Sequence, residues 1–303
     1  CGGGPAGCAA AVAAARAGAR TLLVEREGYL GGATSAQLVV AILSTNGADF
    51  QGLWHEWMAA LKRRGGVSDL QPEPRFDYIL CGSVHPEIVK YAWDDLAGAA
   101  GVTLLHHALV LDVIREGEAV TGLIAQTKAG PCAVHAARVI DCTGDGEVCH
   151  SAGMPWDQGV NGSPYAMALS KVFRCGNVPV TPADRPGVGS QGFGRSMGPV
   201  LSERMGTGRR VLRVNPLDPW DMTRAEREGR AFAWEAVEAK RKDPAYRDVW
   251  LVQTSDHIGV RSSRRIRGRA TVTAEDAWLF RKSPEGIARS SWDIDVWPAD
   301  DAD

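Results

Sequence analysis

Close cysteine pairs are absent. Seven cysteines are spread over 303 residues, an odd number, and none stands in a C-x-x-C arrangement. That excludes a disulfide framework and a closely spaced redox dithiol, and a chain of this length builds its core without such staples. Cys142 and Cys149 are seven residues apart with no further ligands at metal spacing, so no zinc or iron–sulfur site is expected. An excess of one charge is lacking too. The 34 Lys and Arg face 36 Asp and Glu, a net −2, which gives no global attraction to nucleic acid or to an anionic membrane. The run Arg261 to Arg269 is a local basic exception, but it has no interleaved aromatics and makes no nucleic-acid surface. No apolar run is long enough to cross a bilayer, so stable membrane insertion is not expected. No leader peptide is visible, although the first residue reads as mid-fold. No internal repeat occurs. A cytoplasmic globular protein of one large or two packed domains is expected.

Glycine, in contrast, is plentiful, with 35 residues. The chain opens on CGGGPAGCAAA, in which Gly2, Gly4 and Gly7 follow the order G-x-G-x-x-G. Pro5 suits a first helical turn, and Ala6 continues it. Ala9 to Arg16 is strongly helix-forming, and Gly18 ends the run. Thr21 to Val24 reads as a short buried strand with Glu25 at its carboxyl end, eighteen residues after Gly7. Turn, helix, strand and acid make most of a βαβ unit that holds a pyrophosphate at a helix N-terminus. Gly2 shapes the turn, Gly4 leaves room for the phosphates, and Gly7 brings helix and strand together. Glu25 is placed to accept the hydroxyls of a ribose and to repel a 2′-phosphate.

Beyond this unit, Gln51 to Arg64 reads as an amphipathic helix and Pro86 to Ala100 as a further helix. Residues 65–86 read as an irregular excursion with three prolines. Val102 to Leu105, Ala108 to Arg115, Ala119 to Thr127 and a weaker segment near Cys132 to His135 read as strands, the last three forming a β-meander. Arg138 to Asp141 reads as a further strand, which CTGDG leaves. Past Pro155, glycine and proline multiply, followed by a charged helix over Arg224 to Lys242. A short helix over Ala274 to Phe280 has Thr273 as N-cap and Asp276 at its third position.

Three segments resemble the FAD-dependent oxidoreductases with a glutathione-reductase-like fold. GGGPAGCAAAVAAARAGARTLLVEREGYLGGAT carries an E-R-x-x-x-L-G-G-x-x-T pattern. The resemblance implies that Arg26, Gly31, Gly32, Ala33 and Thr34 pass near the cofactor, and it favours FAD over NAD. RVIDCTGDGEVCHSAG is similar to the segment that returns beside the cofactor, which implies that Thr143, Gly144 and Asp145 lie near FAD. Val110, on the meander, is counted with these contacts. IGVRSSRRIRG resembles G-V-R-E-S-R-R-I-x-G, with Ser262 where a glutamate is expected. Arg261 there either holds a substrate carboxylate or reduced-flavin charge, or belongs to a structural ion pair. Arg265 is a second arginine candidate, although at least one of Arg264 and Arg265 is expected to be structural. His257, just upstream, is the best-placed histidine for acid–base work.

The expected fold is thus α/β. Residues 1–155 form a glutathione-reductase-like FAD/NAD(P)-binding domain with an inserted β-meander. Residues 156–290 form a mixed α+β substrate domain, and 291–303 begin a return toward the first. The resemblance implies hydride transfer from a small organic substrate, acidic if Arg261 grips it, to FAD. The alternatives are an NAD-dependent dehydrogenase and a non-catalytic protein on a flavoprotein-derived fold. An opening strand and a closing FAD-binding segment are expected outside the chain, which would cover about two-thirds of a two-domain protein. Apolar surface left open in that way would favour self-association into a homo-oligomer.

Overall fold

The computed structural model describes residues 1–45, 51–73, 76–189, 193–284, 286 and 298–300. Helix α1 (Pro5–Arg16) starts at Gly4, whose backbone is extended, with proline in its first turn. Cys8, Ala11 and Val12 form its buried stripe, small residues that let the helix lie close to the strands beneath. Gly18, at φ +90°, turns the chain back into strand β1 (Leu22–Val24).

Strand β2 (Ala41–Thr45) and helix α2 (Leu53–Arg63) follow, then β3 (Gln71–Glu73) and β4 (Phe76–Ser83). These strands pair antiparallel in the order β2-β4-β3, with Ala41 opposite Ser83. The excursion expected to be irregular over 65–86 is therefore largely sheet, and the prolines explain the misreading. Pro72 lies on β3, an edge strand, where a missing N–H costs no ladder bond. Pro86 instead opens helix α3 (Pro86–Ala99). Nothing in the glycine-rich sequence before it had signalled β2.

Strand β5 (Thr103–Leu105) pairs parallel with β1. The sheet continues past β1 through the first residues of the chain. Gly2 N donates to the Val24 carbonyl at 2.9 Å, Cys142 N donates to the Cys1 carbonyl at 2.8 Å, and Cys1 N donates to the Ile140 carbonyl at 2.9 Å. Residues 138–141, expected as a strand, have just this short run of parallel bonds beside them and build no longer ladder among the described residues. Strands β6 (Leu109–Glu116), β7 (Ala119–Thr127) and β8 (Gly130–His135) form the expected meander. Val24, Ala108, Leu123 and Ala125 join it to the parallel strands in one buried cluster. On the other face, α1, α2 and α3 share a core in which Trp57 and Trp93 stack with ring centroids 5.7 Å apart.

The remaining elements are α4 (Glu147–Ser151), β9 (Trp156–Asp157), β10 (Val172–Gly176), β11 (Ser196–Met197), β12 (Val200–Thr207), α5 (Pro219–Arg241), β13 (Trp250–Thr254), β14 (Arg265–Ile266) and α6 (Ala274–Trp278). Four of these strands make an antiparallel sheet in the order β11-β12-β10-β13. Helix α5 packs on it through Ala233 and Val237 against Phe173 and Cys175. Asp218 caps α5 by accepting from the amides of Trp220 and Asp221, and Thr273 with Asp276 forms the expected capping box of α6. The two sheet systems are stitched together by the buried pair Arg195–Glu73 at 2.6 Å and by Met197, which lies in the helical core of the first. Among the described residues no helix is long and apolar enough to cross a membrane.

Candidate functional site

The glycine turn is folded tightly on one side and open on the other. Gly2 has φ +85°, and a Cβ on it would lie 2.4 Å from the Cys142 carbonyl oxygen. A Cβ on Gly7 would lie 1.8 Å from the Gly2 carbonyl oxygen, so the helix rests directly on the turn. Gly4 differs: the nearest atom to a Cβ there is the Gly32 Cα, at 3.9 Å. The two backbones face each other, since a Cβ on Gly32 would come within 2.8 Å of the Gly4 Cα. Gly31 N donates to the Gly3 carbonyl at 2.9 Å, which fastens the Leu30–Thr34 segment to the turn. No side chain caps the N-terminus of α1 and no acid stands in its first turn. The amides of Ala6 and Gly7 thus open the helix with no side-chain cap. Behind the turn, the buried Cys8 thiol donates to the Gly3 carbonyl, and burial pushes it up to about 12, which makes it an inert packing group.

Glu25 stands at the end of β1, 9% exposed. One carboxylate oxygen accepts from Gly3 N and the other from Glu27 N, the latter at 2.7 Å. The acid therefore braces the glycine turn and keeps lone pairs for further donors. Arg26 pairs at 3.3 Å with Glu27 on the surface. Thr34 closes a 3₁₀ turn over Gly32–Thr34 by donating to the Gly31 carbonyl at 2.7 Å, and Ala33 is exposed on that turn. Val110 packs its side chain into the cluster between meander and β1.

The T-G-D-G turn lies against the same glycines: the Thr143 Cα would be 2.8 Å from a Gly2 Cβ. Asp141 organises it, accepting from Thr143 N at 3.0 Å, the Thr143 hydroxyl at 2.6 Å and Cys149 N at 2.9 Å. Burial alone would raise this carboxyl, but the donors from Thr143 and Cys149 outweigh it and hold it below the usual carboxylate range. Gly144, at φ +93°, has open space where a side chain would stand. Asp145 accepts from the Ser263 hydroxyl, and its carbonyl accepts from Arg264 at 3.2 Å. The basic segment is thereby bound to the T-G-D-G turn.

The three residues singled out for catalysis go to different surroundings. Arg261 donates to the Ser170 hydroxyl at 3.3 Å, beside the bridge between Ser170 and Gly259. His257 meets the Glu27 carboxylate at 2.7 Å. Arg265 lies on β14 and donates to the Gly159 carbonyl at 2.6 Å, while Arg264 lies over the Trp156 ring. His150 stands edge-on to the same ring. Asp141, Glu27, Asp256 and Ser263 escaped the sequence reading because their partners are remote in the chain, apart from the Asp-x-Thr pattern at 141–143. Together the turn, the Gly-Gly segment and the T-G-D-G turn form a backbone-lined cradle at a helix N-terminus. Its open glycine side suits a nucleotide pyrophosphate.

Comparison with known proteins shows the family and the fold. Residues 1–302 match the family described as FAD dependent oxidoreductase. No curated protein matches. Among solved structures, the myxobacterial chondrochloren halogenase CndH, described as a variant of FAD-dependent halogenases, aligns with TM-score 0.55 at 18% identity, over 86% of this chain and 62% of its own. A geranylgeranyl bacteriochlorophyll reductase-like protein of Thermoplasma acidophilum aligns with TM-score 0.54 at 18% identity, over 85% and 64%. The p-nitrophenol 4-monooxygenase PnpA of Pseudomonas putida gives TM-score 0.52 at 15% identity, over 84% and 64%. The chain thus spans less than two-thirds of the length of these proteins. The shared feature is a mixed α/β FAD-binding oxidoreductase fold, not specifically that of glutathione reductase. On the match over nearly its whole length, the chain belongs to the FAD dependent oxidoreductase family.

Proposed function

We propose that the chain binds FAD in the cradle between Gly2–Gly7 and Leu30–Thr34 and oxidises a small organic substrate, with residues 156–290 forming the substrate side. The observation that carries this reading is the approach of Gly4 to Gly32, backbone to backbone, at the uncapped N-terminus of α1. When bound, FAD supplies the redox chemistry by accepting a hydride from the substrate. The protein's part is binding and charge. The first amides of α1 face the pyrophosphate. Glu25 offers its remaining lone pairs to the ribose hydroxyls and disfavours a phosphorylated ribose. Arg26, Ala33, Thr34, Val110 and the T-G-D-G turn shape the rest of the nucleotide site. On the substrate side, Arg261 carries its charge before reaction, so little reorganisation accompanies charge development. Its planar fork fits a carboxylate, which favours an acidic substrate. Arg265, held by Gly159, acts on the fold of this region and not on substrate.

The test is an absorbance spectrum of purified protein supplied with FAD, followed by cofactor release and mass measurement. Flavin bands and the mass of FAD are expected. Gly4→Val should abolish them, because its side chain fills the space left for the phosphates. Stoichiometric FAD in that variant would remove the turn from the binding site, and a released nicotinamide nucleotide would replace the flavin reading altogether.

A further inference from the structure

The segment Ser255–Ile258 lies between the two halves of the molecule and is held from both sides. Toward the cradle, Asp256 N donates to the Ala36 carbonyl at 2.8 Å, Tyr29 donates its hydroxyl to the Asp256 carboxylate, and His257 meets Glu27 at 2.7 Å. Away from it, Ile258 N donates to the Glu226 carboxylate at 2.6 Å and Gly259 N to the Ser170 carbonyl at 2.9 Å. The cradle-side partners belong to one loop, residues 27–36, which contains the Gly-Gly pair facing Gly4. Glu27 is also one residue removed from a direct link to the glycine turn: its amide donates to Glu25, whose other oxygen accepts from Gly3. A continuous set of bonds therefore runs from the glycine turn through Glu25 and Glu27 to His257, four residues before Arg261.

We propose that the Glu27–His257 and Tyr29–Asp256 pairs are a latch that pre-orders the cofactor loop against the second half of the molecule, with His257 a positioning residue. This rests on FAD occupying the cradle. The physical basis is conformational. A loop rich in glycine loses entropy when it is ordered around a ligand, and contacts that already hold it lower that cost. Coupling of this kind is reciprocal: whatever the latch contributes to FAD affinity, bound FAD contributes to the seating of residues 255–261. His257 is suited to the role because its ring is committed at Nε2 to a carboxylate on the opposite half.

The test is a double-mutant cycle read in FAD affinity, by quenching of flavin fluorescence, with melting temperatures recorded on the same samples. Glu27→Ala and His257→Ala should each raise the Kd for FAD about 10-fold, within the usual range for coupled sites. The double variant should be no worse than the weaker-binding single variant, since both remove one interaction. His257→Gln, whose amide can still donate to Glu27, should return to within about twofold of wild type. Tyr29→Phe reads the same latch at its other pair and should also raise the Kd. An unchanged Kd in His257→Ala, or single effects that multiply in the double variant, overturns the latch. A purely structural role would lower the melting temperature without this coupling. Wild-type protein with no FAD affinity at all would instead fail the cofactor reading, a result separable from failure of the latch.

Discussion

Gly4 and Gly7 are three residues apart and meet opposite surroundings. At Gly7 an added Cβ would stand 1.8 Å from the Gly2 carbonyl oxygen, with the Cys142 Cβ at 3.3 Å. The obstacle is backbone, which cannot swing aside as a flexible side chain would. At Gly4 the nearest atom is 3.9 Å away, ordinary contact distance, and its φ of −69° suits any residue. Two substitutions to alanine should therefore separate folding from binding. Gly7→Ala should destabilise the fold by about 3 kcal/mol, measured by urea unfolding. Gly4→Ala should leave unfolding within about 0.5 kcal/mol of wild type yet weaken FAD. Equal stability loss in the two variants would contradict this division of labour. The tight turn at Gly2 and the close packing at Gly7 were legible in the sequence because their spacing is local. The bracing of Gly3 by Glu25 was not, since it needs the end of β1 brought back to the turn.

Among the elements, local pattern was a good guide where the partner was also local. The meander announced itself through alternation and two turns, Gly117 at φ +62° and Gly130 at φ +109°. Helices α2 and α3 were read close to their bounds, whereas the reading of α5 began at Arg224 and missed its opening residues, 219–223, and their Asp218 cap. Strands β3 and β4 were hidden because proline suggested irregular chain, whereas Pro72 sits on an edge. The T-G-D-G turn and α4 form one capped unit whose key acid was also missed: the Thr143 hydroxyl accepts from Glu147 N, at the helix start, while Asp141 accepts from Thr143 and Cys149. This gives a pH dependence of definite sign. The Asp141 carboxyl is held below its ordinary value in the folded state and titrates near about 3.9 in the unfolded chain. Its contribution is therefore fully present above that value and is lost as pH falls through the lower, folded pKa. Asp141→Asn cannot accept from all three donors. It should cost about 1–3 kcal/mol at pH 7. The gap to wild type in urea unfolding should then narrow below about pH 4. A gap that stays constant with pH would show that the carboxylate's charge is not what holds the unit.

At the scale of the whole molecule, the segment that reaches across to the cradle is anchored within its own half by Glu226 on α5. One of its oxygens accepts from Lys171 Nζ at 2.6 Å and the other from Ile258 N at 2.6 Å. The Lys171 side chain is 2% exposed and that of Glu226 22%, so the ammonium depends on the carboxylate far more than the reverse. Arg230 also reaches Glu226, at 3.4 Å, and α5 can pass so close because Gly229 faces the Lys171 stem, where a Cβ would come within 2.8 Å. Neutralising the acid strands a buried charge, whereas neutralising the lysine leaves a carboxylate still served by Arg230 and water. Glu226→Gln should thus lower stability by about 3–5 kcal/mol, and Lys171→Met should lower it by less. The double variant, with no ion left to desolvate, should recover most of the loss. The glutamine introduced by Glu226→Gln would keep an oxygen for Ile258 N, so the segment beside the cradle should stay in place and the recovered protein should retain FAD. Denaturant unfolding of the four proteins measures the cycle. A Glu226→Gln variant as stable as wild type would mean that the Lys171 ammonium finds solvent or another acceptor in solution. The junction between α5, β10 and the cradle-side segment would then rest on packing alone.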